Sequence, residues 1–217
     1  MIWKLLFPPK CVLCGKILEK GQIDLCDRCR IHGPVCTKSK IKLPFLDSWL
    51  ALWHYEEDVR RSLLRYKFYG KRHLAKNYGR LLADKLLRER EADFDMITWV
   101  PVSRMRRLRR GYDQVELLAK ALGEALEMEP VKCLRKIRRT QVQSRLTGQA
   151  QRRANVLGAY EVIDPRQVVG MRVLLLDDII TTGATAGECA RVLLTAGASE
   201  VHCAAVASAI HYKNTSR

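Results

Sequence analysis

One stretch restricts the architecture of this 217-residue chain more than any other. The apolar run Arg172-Val-Leu-Leu-Leu176 leads straight into Asp177-Asp178-Ile-Ile-Thr181-Thr182-Gly183-Ala184-Thr185, and a helical sequence follows over about residues 185–196. A short aliphatic run of this kind reads as a buried strand. Strand, glycine-bearing polar turn and helix in direct succession are the unit of an α/β domain, which holds its ligands at the carboxyl ends of its strands. Small residues and a glycine let backbone N–H groups wrap a phosphate, threonine hydroxyls add donors, and a helix N-terminus favours the anion. Two adjacent carboxylates repel a phosphate. They suit sugar hydroxyls, or Mg²⁺ held directly or through water.

The rest of the chain alternates in the same way. Residues 49–55 and 201–206 read as strands, 96–102 as an apolar run, and 74–91 and 113–128 as helices; Val59, Leu63, Leu64 and Tyr66 give residues 58–69 a helical spacing. The expected fold class is α/β, a mostly parallel sheet flanked by helices. Two familiar phosphate binders drop out, because neither Gly-x4-Gly-Lys-Ser/Thr nor Gly-x-Gly-x-x-Gly occurs. With 47% apolar and 29% charged residues, disorder is excluded as the overall description. No apolar run approaches the roughly 18 residues of a membrane span. No membrane insertion and no export signal are expected, and the expected location is the cytoplasm.

The N-terminal segment needs a separate account. Five of the eight cysteines fall within the first 36 residues, in Cys11-Val-Leu-Cys14, Cys26-Asp-Arg-Cys29 and the single Cys36. Each Cys-x2-Cys pair can turn both thiolates toward one ion, and four thiolates make a closed structural Zn²⁺ site with no open position for catalysis. A redox disulfide pair or an iron-sulfur cluster is the competing reading, less favoured because a redox pair is normally a single motif. His32 and Cys36 are taken as bystanders. A segment this short has too little apolar surface for its own core, so the metal supplies the organisation. The expected division is a zinc module over residues 1–45 and a larger domain over 46–217.

The 173–185 stretch resembles the 5-phosphoribosyl-1-pyrophosphate (PRPP) motif of the type I phosphoribosyltransferases. Together with the four cysteines, Val100-Pro-Val-Ser-Arg104 and Arg109-Arg110-Gly111-Tyr112-Asp113-Gln114, the whole chain resembles the ComF family of competence-associated, phosphoribosyltransferase-like proteins. The family often has a further cysteine pair where this chain has Cys36-Thr-Lys-Ser39, and Gly-Phe-Asn-Gln where it has Gly111-Tyr-Asp-Gln114. The resemblance implies PRPP held with Mg²⁺ by Asp177, Asp178, Thr181, Thr182, Gly183, Ala184 and Thr185, and a pyrophosphate loop at Ser103 and Arg104. It also implies work on single-stranded DNA beside the DNA-uptake machinery. A phosphoribosyl transfer would release pyrophosphate and need no protein nucleophile; a PRPP sensor or a nucleic-acid-binding protein without catalysis is the rival. The acceptor would lie under a hood near residues 46–54, where no residue names a base.

Charge supports an anionic partner without choosing one. Lys and Arg number 39 against 23 Asp and Glu, a formal net charge of +16. Arg104, Arg106, Arg107, Arg109 and Arg110 crowd what reads as one loop, and residues 131–160 hold no acid. The polar centre of that second segment, residues 140–149 with Arg145, suits a lid over PRPP, or a nucleic-acid-contacting strip. In the second case Lys67, Arg106, Arg107, Arg109, Arg110 and Arg145 are the candidate contacts. Tyr66, Phe68, Tyr69 and Tyr112 would be stacking platforms, if they are not core aromatics.

Overall fold

The computed structural model describes residues 8–37, 41–89, 93–141 and 148–210. Four parallel strands form the central sheet: β1 (Ser48–His54), β2 (Met96–Trp99), β5 (Arg172–Ile180) and β6 (Glu200–Ser208), in the order β1-β6-β5-β2. A separate antiparallel pair joins β3 (Leu134–Lys136) to β4 (Tyr160–Val162). The helices are α1 (Asp27–His32), α2 (Glu57–Phe68), α3 (Leu74–Glu89), α4 (Arg104–Arg110), α5 (Gln114–Leu126), α6 (Gln149–Val156) and α7 (Ala184–Thr195). Among the described residues no helix is long and apolar enough to cross a membrane.

β5 is central because it is apolar on both faces. Its side chains alternate: Leu174 and Leu176 join a cluster with Leu63, Tyr78 and Leu118 from α2, α3 and α5, whereas Val173 and Leu175 join one with Cys189, Ala190 and Leu193 from α7. Val12, Leu13, Leu18 and Leu25 of the N-terminal module belong to the first cluster, so the core is continuous across residue 45. Residues 34–36 also bond to the edge of β1, through Cys36 N–H to the Leu52 carbonyl and His54 N–H to the Pro34 carbonyl.

Two expectations change, and one open choice is decided. β5 does not stop at Leu176 but runs through both aspartates to Ile180, because β6 stays paired with it as far as Ser208 while β2 ends at Trp99, opposite Leu176. The carboxylates therefore stand on a strand overhang beyond the end of β2. Residues 104–110 form a helix rather than a loop, opened by Ser103, whose Oγ accepts the Arg106 N–H at 3.4 Å, and closed by Gly111 at φ 75°. Tyr66 and Tyr112 are buried, leaving only Phe68 and Tyr69 exposed enough to stack on a base. Tyr112 Oη donates to the Tyr66 carbonyl, which makes this pair a core contact.

Candidate functional site

The turn after β5 is set by Gly183, the N-cap of α7, at φ 72°. The backbone angle favours glycine, and a Cβ there would also lie 2.8 Å from Leu43 Cδ2, so that side chain would have to move aside. Thr182 Oγ1 accepts the Ala184 N–H at 3.4 Å. The helix begins at Ala184, which places Thr185 in its first turn. Residues 179–186 with Asp177 line a small pocket at this turn.

A cleft of about 630 Å³ adjoins it. Asp177, Ile179, Thr181 and Thr185 line both, so turn and cleft share one wall. Tyr55, Leu64, Phe68, Pro101, Val102 and Val115 give the cleft an apolar side, and Lys67, Arg106, Arg109, Arg110 and Lys136 supply its cations. Ser103, Arg104 and Arg107 do not line it; Arg104 and Arg107 are exposed on the outer side of α4. Arg145 lies outside the described residues, as does most of the expected lid.

The two aspartates differ in environment. Asp178 is buried, and its Oδ2 accepts from Lys67 Nζ at 2.9 Å and Gln114 Nε2 at 2.8 Å. Burial opposes its ionisation, but the Lys67 charge and these hydrogen bonds prevail and hold the carboxyl below the usual range. Among the described residues Asp177 has no cation at ion-pair distance, and the Lys67 charge acts on it only weakly. Burial and the Asp178 charge beside it push its carboxyl up, although its Oδ1 accepts the Asp178 N–H at 2.8 Å. Asp177 is thus the carboxyl that a cation entering the site would draw into ionisation.

Gly111-Tyr112-Asp113-Gln114 proves to be structural punctuation followed by a site residue. Gly111 caps α4, Tyr112 bonds to α2, and Asp113 caps α5 by accepting the Val115 and Glu116 N–H groups at 2.9 and 3.1 Å. Asp113 also accepts the Val102 N–H at 3.3 Å, fastening the end of β2 to α5. Gln114 then reaches Asp178, while its buried Oε1 has no hydrogen-bond partner. Nothing in the sequence gives Gln114 a role, and Lys136 is there one cation of the acid-free segment 131–160. The signal for Lys136 was its spacing from Leu134: two residues apart on a strand, they share a face.

In the N-terminal module the sulfurs of Cys11, Cys14, Cys26 and Cys29 all lie within 4.8 Å of one another, and Cys14 and Cys26 are 3.7 Å apart. A tetrahedral ion with bonds of about 2.3 Å separates its sulfurs by about 3.8 Å, so the donor set and spacing fit a closed zinc site. Among the described residues no His or further Cys joins this group. Cys36 is buried elsewhere, its Sγ directed to the Thr37 carbonyl.

The model of the phosphoribosyl transferase domain matches residues 108–217, half of the sequence. The chain belongs to that family. Its phosphoribosyl transferase domain is preceded by a match to the double zinc ribbon domain over residues 2–41. Over 88% of its length the chain is 27% identical to the DNA utilization protein YhgH of Salmonella typhi, covering 86% of that protein. It is 29% identical over 89% of its length to competence protein F of Haemophilus influenzae, covering 82% of that protein. Among solved structures it is similar to the glutamine PRPP amidotransferase from B. subtilis complexed with ADP and GMP, with 24% identity and a TM-score of 0.46. That match spans 66% of this chain and 30% of the longer enzyme.

Proposed function

We propose that this phosphoribosyl transferase domain binds Mg-PRPP in the cleft and transfers the phosphoribosyl group to an acceptor, within a cytoplasmic role in competence and the handling of incoming single-stranded DNA. The observation that carries the reading is the wall shared by turn and cleft through Asp177, Thr181 and Thr185. One ligand spanning both must offer a phosphate to the turn and the α7 N-terminus, hydroxyls to Asp177, and further anionic oxygens to Arg106, Arg109 and Arg110. PRPP presents these in one molecule. The arginines replace Arg104 as the pyrophosphate contacts, since they line the cleft and Arg104 does not.

In the transfer the bond from ribose C1 to the pyrophosphate oxygen breaks and a bond from C1 to the acceptor forms, with both bonding electrons leaving on pyrophosphate. Mg²⁺, for which Asp177 is the open carboxylate, would neutralise part of the leaving group's charge. The guanidinium groups stabilise the rest, and the apolar side of the cleft excludes water from C1.

Calorimetric titration of Mg-PRPP into wild type and Asp177→Asn tests the reading. The variant should bind about 1–3 kcal/mol more weakly, the worth of a charge-assisted hydrogen bond. Undiminished binding would remove the cleft from the account. Pyrophosphate release, screened against bases, amines and single-stranded DNA, then separates a transferase from a PRPP sensor. Relatives named for competence and DNA utilization support the setting. The DNA contact itself finds support in α4, whose outer side exposes Arg104, Met105, Arg107 and Leu108.

A further inference from the structure

Arg65, on α2, stands against the first Cys-x2-Cys turn of the ribbon. Its Nη2 donates to the Val12 carbonyl at 2.9 Å and the Leu13 carbonyl at 2.6 Å, and Ser62 Oγ donates to the Val12 carbonyl as well. The same two peptide units turn their other ends to a sulfur: the Leu13 and Cys14 N–H groups both hydrogen-bond to the Cys11 thiolate, as does the Cys26 N–H. The peptide joining Val12 to Leu13 and the one joining Leu13 to Cys14 are each gripped by the guanidinium at the carbonyl and by Cys11 at the N–H. Gly15, directly after Cys14, permits this approach, since a Cβ there would lie 2.5 Å from Arg65 Nη1. Among the described residues Arg65 has no carboxylate at ion-pair distance, and its buried Nε has no hydrogen-bond partner. Arg80, a second arginine that reaches the ribbon, is paired with Asp24. Four thiolates around one Zn²⁺ leave two negative charges uncompensated, in the module that this half-buried guanidinium faces. The ribbon's own Lys16, Lys20, Arg28 and Arg30 are exposed to water.

We propose that Arg65 is a positioning residue for the zinc site, acting on the Cys11 thiolate through these two peptide units. A cation at a carbonyl draws electron density toward the oxygen and makes the N–H at the far end a stronger donor, so hydrogen bonds in series reinforce one another. Two strengthened N–H···S bonds favour the thiolate over the thiol and fix where it points. That is the work of an outer-shell partner of a metal ligand. The guanidinium charge also attracts the anionic zinc–thiolate group directly. The ribbon thus holds its metal with the help of a side chain from outside it. α2 turns Arg65 to the ribbon while Lys67, two positions on, reaches Asp178 in the cleft.

The test uses the full chain as wild type, Arg65→Gln, Arg65→Lys and, as a control, Arg80→Met, which cuts a different tie between ribbon and α3. Competition with a chromophoric chelator measures zinc affinity, and replacement by Co²⁺ reports on the thiolates through their sulfur-to-cobalt charge-transfer band. Arg65→Gln keeps a polar contact without the charge and should bind zinc about 10–100-fold more weakly, the usual cost of losing an outer-shell partner. Its band should move to longer wavelength, because weaker N–H···S bonds leave the sulfur electrons less tightly held. Arg65→Lys, which keeps the charge but not the fixed planar donors, should lie between it and wild type on both measures. Arg80→Met should leave the band in place. Undiminished zinc affinity in Arg65→Gln overturns the inference. So does weaker affinity with an unmoved band, or an equal shift in Arg80→Met, since either would mean only that the interface had loosened. Should Arg65→Gln not fold, Arg65→Lys decides alone, and wild-type affinity with an unmoved band overturns the inference there. A chain that takes up neither metal through its four cysteines overturns the zinc site and the inference together.

Discussion

Asp178 shows how much a single side chain depends on partners far away in sequence. Its carboxylate sits in the site only because Lys67, 111 positions earlier, and Gln114, 64 positions earlier, meet it there. With its folded pKa below the unfolded value, Asp178 contributes stability that is present above the unfolded pKa and lost as pH falls through the folded one. Lys67→Met reverses that balance. A buried carboxylate without its cation is destabilising by about 3 kcal/mol at neutral pH, and its pKa should rise rather than fall. Urea unfolding of wild type and variant should then show a difference that is largest near pH 7.5 and shrinks near pH 5.5, where protonation relieves the unpaired charge. An equal difference at both pH values would mean that lost packing, not charge, explains the effect. None of this was legible beforehand: the sequence marks the two aspartates as a pair, and only the fold makes them unlike.

The elements divide into those whose signals are local and those whose limits are set by neighbours. β5 and α7 were legible because a continuous aliphatic run and a glycine before a helical stretch are local features. The true end of β5 was not, since it depends on where β2 and β6 stop pairing with it. α4 was mistaken for a loop because its five arginines hide any apolar period, although Ser103 and Gly111 were legible caps. Its being a helix matters for the proposed DNA contact. A helix sorts the arginines onto two sides, with Arg106, Arg109 and Arg110 lining the cleft and Arg104 and Arg107 facing water beside Met105 and Leu108. Reversing Arg104 and Arg107 to glutamate should weaken single-stranded DNA binding and lower the slope of log affinity against log salt by about 1.4, roughly 0.7 for each phosphate no longer neutralised. Fluorescence anisotropy across a salt series measures both, and an unchanged slope would clear α4 of any part in DNA binding.

For the molecule as a whole, the zinc ribbon and the phosphoribosyl transferase domain are joined by more than the chain. Arg65 Nη2 donates to the Val12 and Leu13 carbonyls at 2.9 and 2.6 Å, Ser62 Oγ bonds to the Val12 carbonyl, and the buried Asp24 is held by Asn77 and Arg80. With apolar side chains of both parts in one cluster, unfolding should be shared. Removing the metal with a chelator should lower the melting temperature by about 10 °C or more, the shift that roughly 4 kcal/mol produces in a domain of this size, with one endotherm before and after. Two separate endotherms would show that the ribbon unfolds by itself. The +16 formal charge belongs to this scale too, drawing anionic partners in from a distance that closes as salt is added.

Leu43, pressed against Gly183 from the chain between ribbon and sheet, carries this joining into the phosphate turn, and Pro44 does the same beside Gly187. The two parts are separate sequence patterns but not interchangeable pieces. A ribbon inherited from another lineage by recombination would have to bring its backbone carbonyls to Arg65 at the same height and its apolar side chains against α2 and α3, and the segment after it would have to seat over the turn as Leu43 and Pro44 do. Descent should therefore treat everything from the ribbon through α2, together with the glycine turn, as one hereditary unit, changing together or not at all.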